Sequence, residues 1–220
     1  MLKAFRSGVV LASILAFVAG AVVTGAPAEA QPASRFVTLL RALPTDNAVH
    51  GGYVRSKFKL WVDADGDGCN SRAEVLMAES KKTTTHSSTC TIRTGKWVSV
   101  YDGLTETTAS KVDIDHMVPL AEAWRSGAYK WTAERRKAYA NDLGYAFSLI
   151  AVTAKSNRSK SDSDPAGWLP SVLSYRCTYA ASWVAIKYRW GLTVDTAERA
   201  ALNLILRGCK NTPVTVPARA

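Results

Sequence analysis

Asp113-Ile114-Asp115-His116-Met117-Val118-Pro119-Leu120 is the stretch on which the reading of this chain turns. Residues 110–114 predict a short strand, and Pro119 breaks the chain just beyond it. On a strand Asp113 and Asp115 point the same way. The run sets an imidazole beside a carboxylate. Further along, Asn157-Arg158-Ser159-Lys160 adds an amide oxygen and two cations. A neutral imidazole can take a proton from water, and hard oxygen donors can hold a divalent cation against a phosphate. These are the parts that one-metal phosphodiester hydrolysis requires.

Outward from this run the pattern is mixed. Residues 149–153 form a compact apolar strand, and 53–62 and 97–101 also read as strands. Helical spacing of apolar residues predicts helices over 71–80, 121–127, 132–141 and 171–190. Asp195 with Glu198 has the form of an N-cap and capping box, opening a helix that runs to Arg207 and stops near Gly208. Residues 31–50 read as an N-terminal arm or short helix followed by a loop, 81–88 as an exposed loop, and Asp164-Pro165 as a turn. There are no internal repeats. The expectation is a single α+β domain with C-terminal helices over 171–209.

Lys3 and Arg6, the apolar run 9–23 and Ala28-Glu29-Ala30 predict a secretory signal peptide over residues 1–30, leaving 31–220 as the domain. The apolar run is shorter than the ~20 residues of a spanning helix. The formal net charge of +10 suits a polyanionic partner, against the plainer reading of a basic surface that aids solubility or wall adhesion. Four cysteines in an oxidising compartment predict two disulfides. Of the three possible pairings, the sequence neighbours Cys69–Cys90 and Cys177–Cys209 are favoured. His50 and His86 read as surface residues.

A second metal pattern precedes the first. Asp63, Asp65, Asp67, Gly68 and Glu74 match the calcium-loop spacing of an EF-hand, with Glu74 closing the site. The competing reading is a turn pinned by Cys69 and by hydrogen bonds from Arg72.

Asp-x-Asp-His-x-Val-Pro-Leu, then a strand, then Asn-Arg-x-Lys, resembles HNH (His-Me finger, ββα-metal) endonucleases. The closer resemblance is to secreted actinobacterial HNH proteins related to the C-terminal domain of GmrSD-type restriction endonucleases. It extends over most of the mature chain and includes Trp61-Val62-Asp63, Arg72, Trp124, Asp142-Leu143 and Trp168-Leu169-Pro170. The resemblance implies a finger core over about residues 110–162. It makes His116 the general base, an ordinary imidazole with a pKa near ~6.5, and Asp115 and Asn157 the ligands of Mg²⁺ or Mn²⁺. Lys160 and Arg158 hold phosphate or steady the site. Asp113 is either a supporting acid or a solvated edge charge. Ser148 stands where many such proteins have an Asn that positions the base, so either Ser148 or another group must hold His116.

The implied activity is that of a secreted, metal-dependent endonuclease, a monomer cutting DNA with little sequence preference, with RNA as a second candidate. Arg125, Arg135, Arg136 and Lys155, with Lys130 and Lys137, are candidate phosphate contacts, which position a substrate without reading its sequence. The rival from another class is a non-catalytic extracellular calcium-binding or wall-adhesion module. It would use the Asp loop and the charge but leave His116 idle.

Overall fold

Ala33, Phe36 and Leu40 lie on one stripe of helix α1 (Ala33–Ala42), and that stripe is buried. It faces α6 (Arg176–Trp190) and α7 (Thr196–Arg207), which form the floor of the larger core. The structure is a computed structural model and describes residues 31–220. The expected signal peptide lies outside the described residues. No helix among them is long and apolar enough to cross a membrane.

Helix α6 is buried along most of its length, with Trp183, Val184 and Ile186 inside. It ends at Gly191, whose φ of 67° provides the left-handed cap that glycine adopts without strain. Helix α7 starts with the expected capping box, both reciprocal bonds being present between Asp195 and Glu198. Lys187 of α6, fully buried, bonds Glu198 at 2.6 Å and Glu122 of α3 (Leu120–Arg125) at 2.8 Å. Such a pair costs desolvation, so it fixes how these helices meet more than it stabilises them. Cys177–Cys209 joins the start of α6 to the chain after α7, and Cys69–Cys90 closes a second loop, the pairing expected from sequence. The terminal segments β1 (Gln31–Pro32) and β7 (Asn211–Thr212) pair antiparallel beneath these helices.

The strand-rich half has two small sheets. A meander is built from β2 (Thr85–His86), β3 (Ile92–Val98) and β4 (Thr105–Thr108). Beside it β5 (Val112–His116) pairs antiparallel with β6 (Leu149–Thr153), Asp115 opposite Ile150 and His116 opposite Leu149. Val112, Ile114, Leu149 and Ala151 join Ala73, Val75 and Leu76 of α2 (Ser71–Glu79) and Trp97 in a second core cluster. Ile150 and Val152 face the larger core. Helix α5 (Ala154–Lys160) follows β6 with no loop, Thr153 serving as its N-cap by accepting from the Ser156 amide at 3.2 Å. The chain is thus α+β, with a strand–strand–helix unit lodged between two clusters.

Three expectations need correction. Residues 53–62 are not a strand; they carry a single 3₁₀ turn, Arg55–Lys57. Their alternation comes from separate anchors: Phe58 is buried, while Tyr53 and Trp61 pack against the core one at a time. The strand expected at 97–101 lies earlier, at Ile92–Val98, because Tyr101 turns inward as a fully buried core residue. The long helix starts at Arg176, after a 3₁₀ turn over Leu173–Tyr175. Strand β4 was not foreseen, since its Thr-Glu-Thr-Thr sequence is largely exposed and shows no apolar alternation.

Candidate active site

The site is assembled by β5, β6 and α5. Asp115 is 5% exposed and receives the Lys160 ammonium at 2.9 and 2.8 Å on its two oxygens. Tyr101 donates its hydroxyl to Oδ2 at 2.6 Å. Burial pushes the Asp115 carboxyl up and the Lys160 ammonium down, and the charge of each opposes the shift of the other. Each carboxylate oxygen has two lone pairs. Oδ2 is therefore fully used, while Oδ1 keeps one position for a further partner.

His116, at the end of β5, donates from Nε2 to the Ala140 carbonyl at 2.9 Å. That bond assigns the ring proton to Nε2 and leaves Nδ1 as an acceptor. The ring lies between Trp61 and Tyr139, at centroid distances of 5.8 and 6.4 Å. Burial pushes its pKa down to about 4, and the charges of Arg55 and Lys160 act in the same direction. The imidazole is therefore neutral near pH 7, in the form that can accept a proton.

Ala140 is the last residue of α4 (Ala133–Ala140), and its neighbour Asn141 fixes the helix end. The Asn141 side chain accepts from the Val62 amide at 3.0 Å and the Ser71 hydroxyl at 2.6 Å. It donates to the carbonyls of Lys59 at 2.7 Å and Lys137 at 2.8 Å. Ser148 does not hold His116; its hydroxyl goes to Asp142 at 2.8 Å. Asp142 also accepts from Arg189 and Trp190.

On α5 the Asn157 amide nitrogen donates to Asp113 at 3.1 Å, which turns the amide oxygen away from that carboxylate. Arg158 reaches to 3.9 Å from Asp113 with its side chain 77% exposed. The start of α5 is tied down by Asp102, which accepts from the Thr153 and Ser156 hydroxyls. These residues open onto a cleft of about 300 Å³ lined by Arg55, Asp115, His116, Asn157, Arg158 and Asp162. Asp115 and Asn157, both with oxygen-bearing side chains, thus line one cleft with His116. That donor set fits a hard divalent cation.

The remaining sequence candidates are distributed differently. Arg125 bonds Glu122 and the Asp162 carbonyl. Arg135 stacks on Trp131 and Trp190, and Arg136 bonds the carbonyls of Lys57, Ala128 and Trp131. All three are occupied with holding the fold together, whereas Lys155 is exposed on α5. Carboxylate oxygens of Asp63, Asp65 and Asp67 come within 4.8 Å of one another, and Glu74 stays outside that trio. One Glu74 oxygen is buried without a partner, and burial pushes its carboxyl up, helped by the charges of the three Asp residues. Arg72 does not pin this turn; it caps the carbonyls of Ala109 and Val112. His50 is not a plain surface residue, since it pairs with Asp46 at 2.9 Å and stacks on Tyr129.

Sequence reasoning missed Ala140, Tyr101 and Arg55. A backbone carbonyl leaves no side-chain signal, and Tyr101, which bonds Asp115, and Arg55, which lines the cleft, both stand outside the motif.

The family described as GmrSD restriction endonucleases, C-terminal domain, matches residues 71–203. An uncharacterized secreted protein of Arthroderma benhamiae is 44% identical over 158 residues, covering 72% of this chain and 76% of that protein. No solved structure matches this chain. With the match spanning β5, β6, α5 and most of the helical layer, the chain belongs to the family of the C-terminal domain of GmrSD restriction endonucleases.

Proposed function

We propose that this protein is a secreted, divalent-metal-dependent endonuclease of the HNH (His-Me finger) type. It hydrolyses phosphodiester bonds of DNA with little sequence preference, and RNA is a second substrate to test. The observation that carries the reading is the cleft where His116, Asp115 and Asn157 meet on a strand–strand–helix unit. The family match supports nuclease chemistry. The secreted relative and the two disulfides support an extracellular location.

In this reading Asp115 and Asn157 would hold Mg²⁺ or Mn²⁺ by their side-chain oxygens. When bound, the ion stabilises charge on the phosphate and on the leaving oxygen. His116 takes the proton of the attacking water at Nδ1, while its bond to Ala140 fixes the ring. Water oxygen bonds to phosphorus, the phosphorus–oxygen bond to the leaving group breaks, and the water proton resides on the imidazole. Lys160 and Tyr101 keep Asp115 ionised and aimed. Calcium at the Asp63–Asp65–Asp67 loop is a separate structural role that this reading leaves in place.

The test is plasmid nicking by the purified protein in Mg²⁺, in Mn²⁺ and in EDTA, beside His116→Ala. The expected result is metal-dependent cutting that the variant loses. Equal cutting by the variant, or none with any divalent metal, would overturn the reading and favour the non-catalytic module.

A further inference from the structure

Arg55 lines the cleft together with His116, Asn157 and Arg158, and among the described residues no ion pair engages it. Its backbone is fixed: the Phe58 amide donates to the Arg55 carbonyl at 3.0 Å, and Phe58 is 2% exposed. Tyr53 packs on Phe58 and Trp124 at 6.3 and 6.4 Å, which steadies the turn from the other side. Arg55 is exposed, and its side chain reaches the Tyr53 hydroxyl. Among the described residues no carboxylate forms an ion pair with it; Asp162, also at the rim, pairs with neither Arg55 nor Arg158. This sets Arg55 apart from Arg125, Arg135 and Arg136, whose donors are spent on the protein's own carboxylates and carbonyls.

Arg158 lines the same cleft and is also exposed. Two guanidiniums lining one cleft with an imidazole and two oxygen-bearing side chains leave an anion as the natural occupant. Planar guanidinium groups match phosphate oxygens in particular. Because the backbone of Arg55 is already fixed, the contact costs only the rotamer entropy of one side chain.

We propose that Arg55 is a substrate-binding residue: its guanidinium holds a non-bridging oxygen of the phosphodiester placed over His116, in the cleft it lines with Arg158. The inference rests on the nuclease reading and adds the residue that seats the substrate. Arg55 precedes the family match at 71–203, so the segment before that match supplies part of the site. The nucleic-acid path then runs over this cleft, with Lys155 exposed on the helix that carries Arg158, and not over α4.

The test compares wild type, Arg55→Ala, Arg55→Lys and the charge-matched control Arg93→Ala, an exposed arginine on β3 outside the cleft. Two quantities are read on the full protein: kcat/KM for plasmid nicking in Mg²⁺, and affinity for a labelled DNA duplex in EDTA. Arg55→Ala is expected to lower kcat/KM by about 10–100-fold, the range of a charge-assisted hydrogen bond. It should also weaken duplex binding and reduce the salt slope of binding by about one. Arg55→Lys should recover part of the loss, and Arg93→Ala should stay within about twofold of wild type, as a distant surface charge does. Equal effects of Arg55→Ala and Arg93→Ala, or no effect of Arg55→Ala, overturn the assignment. If wild type does not cut with any divalent metal, the nuclease reading fails and duplex binding decides alone. A loss confined to Arg55→Ala then keeps the phosphate contact, and equal binding by all variants, or no binding by wild type, removes it.

Discussion

The Lys160 ammonium is fully buried and bridges both carboxylate oxygens of Asp115 and the His116 carbonyl, at 2.9, 2.8 and 2.9 Å. One cation on the last turn of α5 therefore locks the two neighbouring residues that the motif depends on. Removing it leaves a buried carboxylate without its counter-charge. Lys160→Met is expected to cost about 3–5 kcal/mol of stability, the range found when one partner of a buried pair is deleted. Urea unfolding of the variant checks this; a loss under about 1 kcal/mol, the size of an exposed pair, would mean that the pair is not dry.

The position of His116 depends on Ala140 and Asn141, and Ser148 plays no direct part. Ser148→Ala removes one hydrogen bond to Asp142, which keeps its bonds from Arg189 and Trp190, and should cost about 1 kcal/mol. Its nicking rate should stay within about threefold of wild type, because a loss of this size elsewhere leaves the folded population intact. Asn141→Ala removes four hydrogen bonds around the carbonyl that holds the imidazole. Its rate should fall by about tenfold or more under conditions where the protein remains folded, as displaced catalytic groups lose rate steeply. Rates that rank the two variants in the opposite order would return Ser148 to the role of positioning the base.

Much of this site was legible from residue order. Asp115, His116 and Asn157 share a cleft because an alternating strand, a second strand and a helix N-cap at Thr153 follow each other at fixed spacings. The capping box at Asp195 and both disulfides were equally readable, since each is a local or pairwise chemical pattern. What sequence could not supply was long-range contact. The alternation at 53–62 looks like a strand, yet it has no partner strand to pair with. Arginines of α4 look like phosphate contacts until Trp131, Trp190 and nearby carbonyls take them. The carbonyl that orients His116 comes from 24 residues away and has no side-chain signature.

The Asp63–Asp65–Asp67 trio gives a prediction separate from catalysis. Extracellular loops of this type bind calcium with Kd of about 10⁻⁴–10⁻³ M, so 10 mM calcium should add about 1–3 kcal/mol of stability through linkage. In a protein of this size that amounts to a rise of about 3–10 °C in Tm. Asp65→Asn should remove the rise, and Mg²⁺ at equal concentration should not reproduce it. An unchanged melting curve in calcium would leave the three carboxylates as a solvated turn.

Glu79, the last residue of α2, accepts the Ala151 amide of β6 at 3.0 Å and so covers the outer edge of that strand. Burial pushes its pKa up to about 7, against the opposing effects of the Ala151 bond and the Lys81 charge. In the unfolded chain the group ionises near its ordinary value of 4.5. Below that value both states carry the proton and Glu79 adds no pH dependence. Between about 4.5 and 7 the folded state holds a proton that the unfolded state has lost, so stability falls as pH rises, and the loss is complete above 7. At 1.36 kcal/mol per unit the full effect is at most about 3 kcal/mol. Glu198 is also raised to about 7 by burial and shifts stability in the same direction, so wild type alone cannot isolate Glu79. Glu79→Gln keeps an acceptor for the Ala151 amide at every pH. Its stability relative to wild type should therefore grow between pH 5 and pH 8, and a constant difference across that range would show that Glu79 keeps an ordinary pKa in the folded protein.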